Sequence, residues 1–144
     1  MNNDYTNRII AAPTSSQTAA FIFLLNLGVQ YNVMIDFVLW SFGMIDDEGY
    51  GPAYGLWNKV LTNPTVTSSY LNNWLTPVVR TAAPYLNSSL LSFEVFNEPE
   101  GMTTKWGSGW TKCHSGSSDC AQVSVSAIQK FANQVASTIH NVNR

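Results

Sequence analysis

Two short apolar runs along the chain predict buried strands. The first covers 33–42 and the second covers 90–96, and both are nearly continuous in hydrophobic or aromatic residues. Such runs are typical of parallel strands that other elements cover, because strands with one exposed face alternate apolar and polar positions. Pro99 cannot donate a ladder hydrogen bond, so the second strand is predicted to stop near Asn97 and Glu98.

The first of three predicted helices precedes both strands. Residues 17–29 are apolar around nearly the whole helical circumference, so we expect this helix to be well buried. Ser15 or Ser16 is the expected N-cap, and the helix is expected to end near Gly28.

Two more helices follow in the pattern. One is predicted over 63–83, with Thr65 or Thr67 as its cap and a kink at Pro77, because proline removes a helical hydrogen bond. The other is an amphipathic helix over 122–142, whose inward face is predicted to carry Val125, Ile128, Phe131, Val135 and Ile139.

The order of these elements indicates a single α/β domain over 1–144. Helix, strand, helix, strand and helix follow one another, with long loops over 43–62 and 101–121 and no linker or repeat. A helical crossover between two strands predicts a parallel pair with right-handed connectivity. Because parallel strands run in the same direction, Trp40 and Glu98 are expected at the same end of the sheet.

The strand period predicts which side chains lie together. Two sets share a face: Glu94, Phe96 and Glu98 in the second strand, and Asp36, Val38 and Trp40 in the first. Carboxylates on an apolar strand are costly unless their face lines a polar site. Glu98 also comes where the strand ends, which is where parallel α/β folds place catalytic groups. The pattern therefore predicts a polar site at the strand ends.

The segment 96–101, Phe-Asn-Glu-Pro-Glu-Gly, resembles the Asn-Glu-Pro motif that closes the fourth strand in glycoside hydrolase family 5. Segments 70–79 and 128–140 resemble the flanking helices of the mannanase-like and cellulase-like branches of that clan. The resemblance covers about 17–141 and implies a partial (β/α)8 TIM barrel, from the second helix to the fourth. A complete barrel needs about 250 residues, so the remainder of the barrel is expected to be missing from this chain.

The resemblance also implies a chemistry. Retaining glycosidases use two carboxylates about 5–5.5 Å apart. By resemblance, Glu98 is the acid/base residue, Asn97 binds the substrate's 2-hydroxyl, and Glu94 orients its neighbours. The family's nucleophile ends the seventh strand and has no counterpart here, so we expect this chain alone not to hydrolyse polysaccharide. The implied activity is endo-hydrolysis of a β-1,4-linked polysaccharide, with mannan ahead of cellulose and without a cofactor.

Two alternatives stay open beside an enzyme. One is a non-catalytic carbohydrate-binding protein that stacks sugars on Trp40, Trp106 and Trp110, although Trp40 fits plain packing equally well. The other is a domain that has neither function. Aromatic residues make up 12% of the chain, which suits either a large core or a sugar cleft.

Composition excludes two classes of partner. The net charge is −2 and 11% of residues are charged, so no basic surface indicates nucleic acid. The apolar stretch 19–29 is too short to span a membrane. It also lacks the basic flank of a secretory signal, so any signal peptide is expected upstream of Met1.

The two cysteines, Cys113 and Cys120, lie in the second long loop. They form either a local disulfide or two free thiols, and the resemblance to a secreted family favours the disulfide and an extracellular location. A zinc site with His114 lacks a fourth ligand. The acidic triplet at 46–48 is interpreted as a solvated turn, so no metal site is predicted.

Overall fold

The structure is a computed structural model that describes residues 9–40, 56–86, 91–99 and 123–142. Helices account for 71% of the described part. The elements in chain order are α1 (Ser15–Tyr31), β1 (Ile35–Val38), α2 (Leu56–Thr62), α3 (Pro64–Ser69), a π-helical segment (Tyr70–Leu75), α4 (Thr76–Leu86), β2 (Leu91–Glu94) and α5 (Val125–Val142).

The two strands pair in parallel, as predicted. Ile35 lies opposite Leu91 and Val38 lies opposite Glu94. Each strand has four residues, so both are shorter than the apolar runs that predicted them. Leu39 and Trp40 after β1, and Phe96 after β2, continue into the core as irregular chain, whereas Val33 and Met34 before β1 are exposed.

Helices cover one face of this two-stranded sheet. The covered face contributes side chains to the hydrophobic core: Ile35, Phe37, Leu91 and Phe93. The other face carries exposed side chains: Asp36, Val38, Ser92 and Glu94. On that exposed face the Ser92 hydroxyl donates a hydrogen bond to Asp36 Oδ1 at 2.7 Å. Asp36 thus has a polar partner, although it is not buried.

The predicted fold class, a partial (β/α)8 TIM barrel, is wrong. The described residues form a small α-rich fold with a two-stranded parallel sheet. The apolar runs misled the prediction because their ends are buried by helices rather than by neighbouring strands. Leu39 and Trp40 after β1, and Phe96 after β2, all pack in a cluster with residues from helices.

The cap of α1 differs from the prediction. Thr14 is the N-cap, not Ser15 or Ser16, and it forms a capping box with Gln17. The Thr14 N–H donates to Gln17 Oε1 at 2.9 Å, and the Gln17 N–H donates to Thr14 Oγ1 at 3.2 Å. The helix ends at Tyr31, and the φ of its C-cap, Asn32, is 53°, in the left-handed region that asparagine tolerates.

The prediction that α1 is well buried is also wrong. Only Leu25 and Gly28 are buried in this helix. It packs against α4 and against the start of β1, where the side chain of Ile35 leaves no room for a Cβ on Gly28. Phe21 and Leu27 are half-buried, and the remaining apolar side chains of the helix are exposed.

The helix predicted over 63–83 is interrupted. α3 begins at Pro64 with Asn63 as its cap rather than Thr65 or Thr67. The chain then widens into the π-helical segment, where the Thr76 N–H and hydroxyl both donate to the Leu71 carbonyl. This wider turn immediately precedes Pro77, whose ring needs room against the preceding turn.

Two further elements differ from the prediction in their bounds. Residues 56–62, predicted as loop, form α2. α5 begins at Val125, and its predicted inward residues Phe131 and Val135 are buried. Val125 was also predicted to face inward but is 47% exposed, because it lies in the first turn.

Most of the buried residues belong to two clusters. The main cluster consists of Leu39, Trp40, Val60, Leu61, Val66, Tyr70, Leu75, Val79, Phe96, Val123, Phe131 and Val135. The α1 cluster consists of Leu25, Ala82 and Leu91. Phe37 and Phe93 pack against both clusters from the covered face of the sheet.

Candidate functional site

The predicted site lies where the two parallel strands end. The ladder continues past the strands, with the Leu39 N–H donating to the Glu94 carbonyl at 2.8 Å. The Asn97 N–H donates to the Trp40 carbonyl at 2.9 Å. Trp40 and Asn97 are therefore neighbours, and Glu98 follows directly. This confirms that Trp40 and Glu98 lie at the same end of the sheet.

Glu98 occupies an unusual backbone conformation at this end. Its φ is 54°, in the left-handed region that few residues other than glycine adopt. Such a conformation costs on the order of 1 kcal/mol and is often found at functional sites. Pro99, the next residue, disfavours the right-handed helical region for Glu98. The chain turns here, and the side chain of Glu98 is exposed to solvent.

The predicted alternation of side chains does not extend to Glu98. β2 ends at Glu94, and the chain bends at the next residue, so the period of two is lost. Glu94 is exposed, whereas Phe96 is buried and its ring lies 5.8 Å from that of Phe131. Glu94, Phe96 and Glu98 thus do not line one common surface.

Trp40 is a packed core residue. It is 1% exposed, and its indole N–H donates to the Tyr70 hydroxyl at 3.0 Å. Its ring centroid lies 5.2 Å from that of Tyr70 and 5.7 Å from that of Phe131. Asp36 and Val38, predicted on the same face, are both exposed. Of the two interpretations that the sequence left open for Trp40, burial favours packing over a sugar platform.

Burial also acts on the hydrogen-bond partner of Trp40. It raises the pKa of the Tyr70 phenol well above its usual range, while the hydrogen bond from Trp40 acts in the opposite direction. Tyr70 is therefore a neutral structural residue near pH 7.

Several predicted residues lie outside the described part of the chain. They are Trp106, Trp110, Cys113, Cys120 and the acidic residues 46–48. Within residues 9–40, 56–86, 91–99 and 123–142, no three His, Cys, Asp or Glu side chains are grouped to hold a metal ion. None of the helices in these same ranges is both long and apolar enough to cross a membrane.

Sequence reasoning missed a cleft of about 380 Å³ on the helical side of the sheet. It is lined by Pro13, Gln17, Thr18, Ala20, Phe21, Leu24, Phe37, Trp74, Pro77, Val78 and Thr81. None of these side chains is charged. Because the lining comes from α1, β1 and the helix around Pro77, no single segment of the sequence predicts the cleft. The spacing of Trp74, Pro77, Val78 and Thr81 along one helical face is the sequence signal that was available.

Comparisons with protein-family models, with curated proteins and with solved structures found no match to this chain. The resemblance to glycoside hydrolase family 5 therefore stays a prediction from the quoted segments.

Proposed function

We propose that Glu98 is the acid/base carboxylate of a glycoside hydrolase that acts on a β-1,4-linked polysaccharide, with mannan ahead of cellulose. The observation that supports this is the position of Asn97 and Glu98 directly beyond the carboxyl end of a parallel strand pair. Ligands of open parallel α/β sheets bind at this end. The exposed side chain and left-handed backbone of Glu98 suit a group that meets a substrate.

The proposed step uses Glu98 twice. Its protonated carboxyl first donates a proton to the glycosidic oxygen, which leaves with the bonding electrons as the second carboxylate forms a bond to the anomeric carbon. The Glu98 carboxylate then takes a proton from a water molecule, which attacks the anomeric carbon and releases the nucleophile. Asn97 binds the 2-hydroxyl beside this carbon. The hydrogen bond to Trp40 fixes the backbone of Asn97 and thus its distance from the sheet.

The proposed nucleophile comes from outside the described residues. The other two acids within the described ranges, Asp36 and Glu94, both belong to the exposed face of the sheet. Asp36 is engaged by Ser92 in mid-sheet, away from the strand ends. The proposal includes action outside the cell, since the substrate is an extracellular polymer, and a Cys113–Cys120 disulfide.

The test compares Glu98→Gln with Glu94→Gln in the full-length protein that carries this sequence. Both residues are exposed acids near the end of β2, so Glu94→Gln matches Glu98→Gln in charge and location. It should lose less turnover, because Glu94 is predicted only to orient its neighbours. We expect Glu98→Gln to lower turnover of mannan by about 10²–10⁴-fold. Turnover of an aryl mannoside with a good leaving group should fall much less, because that leaving group needs no proton.

Three results would contradict the proposal. They are unchanged turnover of mannan and cellulose by Glu98→Gln, an equal loss in Glu94→Gln, and an equal loss on the activated aryl mannoside. A faster turnover of carboxymethyl cellulose than of mannan by the wild type would replace mannan with cellulose as the substrate.

A further inference from the structure

The cleft between α1 and the helix around Pro77 shares no residue with the proposed site at Glu98. Leu25 of α1 and Ala82 of α4 are buried together in the α1 cluster. Nearer to the N-terminal ends of the two helices, the cleft lies between them, and Phe37 of β1 belongs to its lining. The cleft is thus a feature of the helical side of the sheet and is separate from the strand ends.

The size of the cleft suits a small molecule. Its volume of about 380 Å³ falls within the range of about 300–1,000 Å³ that is usual for ligand pockets. An apolar cavity of about 150 Å³ holds one benzene ring, so this cleft has room for a molecule of two fused rings. The lining residues Gln17, Ala20 and Leu24 are exposed, so a ligand can enter from solvent.

Aromatic side chains make up much of the lining: Phe21, Phe37 and Trp74. The ring centroids of Phe21 and Phe37 lie 4.8 Å apart, and their planes are tilted by 49°. Tyr70 stacks on Trp74 with a centroid distance of 5.4 Å and an interplanar angle of 17°, so it covers only one face of the indole ring. Aromatic rings attract one another in offset and edge-to-face arrangements. The lining therefore favours an aromatic ligand over an aliphatic one.

Trp74 belongs to the π-helical segment. The N–H and hydroxyl of Thr76 both donate to the carbonyl of Leu71 in this segment. Turns of this width are rare and are frequently found at functional sites. The wider turn sets where Trp74 lies relative to Pro77 and Val78, which follow it in the lining of the cleft.

The cleft is also uncharged. Its lining contains no charged side chain, and neither 9–35 nor 64–79 contains Asp, Glu, Lys, Arg or His. Asp36 and Arg80 follow these two segments, but Asp36 lies on the opposite face of the sheet and Arg80 is exposed outside the lining. Moving an unpaired charge from water into such a lining is costly. The cleft therefore favours a ligand without a charge.

Three half-buried residues of the lining carry polar groups, which are the hydroxyls of Thr18 and Thr81 and the indole N–H of Trp74. Among the described residues, none of these three groups has a hydrogen-bond partner. A hydroxyl both donates and accepts, whereas the indole N–H only donates. The lining thus offers hydrogen bonds to one small polar group on an otherwise apolar ligand.

We propose that this cleft binds a small, uncharged aromatic molecule of two fused rings that carries one hydroxyl group. The rings of the ligand pack against Phe21, Phe37 and Trp74, and its hydroxyl forms a hydrogen bond with a threonine hydroxyl or with the indole N–H. The proposal adds a second binding site to the protein and does not depend on the role of Glu98.

The test uses isothermal titration calorimetry of the full-length protein that carries this sequence, with two naphthalene probes. We expect 1-naphthol to bind with a dissociation constant on the order of 100 µM, an ordinary value for a ligand of its size. The second probe, 1-naphthalenesulfonate, has the same rings but a negative charge. It should bind at least about tenfold more weakly, because the lining offers no cation to pair with it.

A first pair of variants fills the cleft. Ala20 and Ala19 are neighbouring exposed residues of α1, but only Ala20 belongs to the lining. Ala20→Trp should therefore weaken the binding of 1-naphthol by about tenfold or more, since the new side chain takes the space of the ligand. Ala19→Trp is the matched control and should leave the affinity unchanged. Far-ultraviolet circular dichroism checks that both variants are folded.

A second pair of variants changes the charge preference. Leu24 belongs to the lining and its exposed neighbour Phe23 does not. Leu24→Lys should shift the ratio of the two affinities toward 1-naphthalenesulfonate by about fivefold, the effect of a partly solvated ion pair. Phe23→Lys adds the same charge outside the cleft and should leave the ratio unchanged.

Nuclear magnetic resonance locates the ligand in the wild type without any substitution. In protein labelled with ¹⁵N-tryptophan, the indole N–H signal of Trp74 should move as 1-naphthol is added, and its absence from the spectrum of Trp74→Phe assigns it. An unmoved Trp74 signal would overturn the proposal, as would the lack of saturable binding up to about 1 mM. Equal affinity for the two probes, or an equal effect within either pair of variants, would overturn it as well.

Discussion

Trp40 and Tyr70 place two polar atoms inside the main cluster, and each supplies the partner that the other needs. The indole N–H can only donate, and the phenol oxygen accepts it at 3.0 Å. Large aromatic residues with one polar atom are commonly buried in this way. The role of Trp40 is thus set by a residue 30 positions later in the chain, which no local pattern around Trp40 reveals.

Replacing Tyr70 with Phe tests this pair. At pH 7 the variant loses one buried hydrogen bond, so we expect its free energy of unfolding to be about 1 kcal/mol lower in urea denaturation. Tyr31→Phe, at a position that is 66% exposed, is the control and should change the value by less than about 0.5 kcal/mol.

The difference in stability between the wild type and Tyr70→Phe should depend on pH. The folded protein holds the Tyr70 proton because burial raises the pKa, whereas the unfolded chain loses it above about pH 10. The unfolded state then binds fewer protons, so wild-type stability is fully present below pH 10 and falls above it by up to about 1.4 kcal/mol per pH unit. Tyr70→Phe lacks this loss. If the free energy of unfolding of Tyr70→Phe stays below that of the wild type by the same amount from pH 7 to pH 11, the raised pKa of Tyr70 is refuted.

At the scale of single elements, the sequence patterns predicted where helices and strands lie better than they predicted which of their surfaces are buried. Hydrophobic content correctly indicated α1, and two apolar runs correctly indicated a parallel strand pair. The pattern does not say whether a neighbouring element exists, so it predicted a buried α1 where only Leu25 and Gly28 are buried. It also placed Trp40 on the face of Asp36, because the alternation was extended beyond the last strand residue.

The N-cap of α1 shows a signal that was present but not used. Thr14, Ser15 and Ser16 are all good capping residues, so composition alone does not choose among them. The capping box does, because it requires Gln or Glu three residues after the cap, and Gln17 stands at that spacing only from Thr14.

Thr14→Ala should therefore lower the free energy of unfolding by about 1 kcal/mol, because the Gln17 N–H loses its acceptor. Ser15→Ala is the matched control: it removes the same hydroxyl one residue later, where alanine is a good helix former, and should be neutral or slightly stabilising. Chemical denaturation of both variants measures the difference. An equal loss in Ser15→Ala would mean that the cap lies one residue further on.

The whole molecule has two clusters of buried residues that share the covered face of the sheet. Phe37 and Phe93 pack against both clusters, and their rings meet edge to face with centroids 6.0 Å apart. The ring centroid of Phe37 also lies 4.8 Å from that of Phe21 in α1. The short sheet thus joins the two clusters, and α4, which packs against both α1 and α5, joins them as well.

This link predicts that the described elements unfold as one cooperative unit. Phe131 is 1% exposed in the main cluster and lies near Trp40, Tyr70 and Phe96, so Phe131→Ala should lower the free energy of unfolding by about 3–5 kcal/mol. Because Phe37 and Phe93 couple the clusters, amides of α1 should lose protection from hydrogen exchange together with those of α5 in this variant. Val125→Ala, at an exposed position of the same helix, should leave both unchanged. Loss of protection in α5 alone would show that the two clusters are independent, and that the sheet does not transmit stability between them.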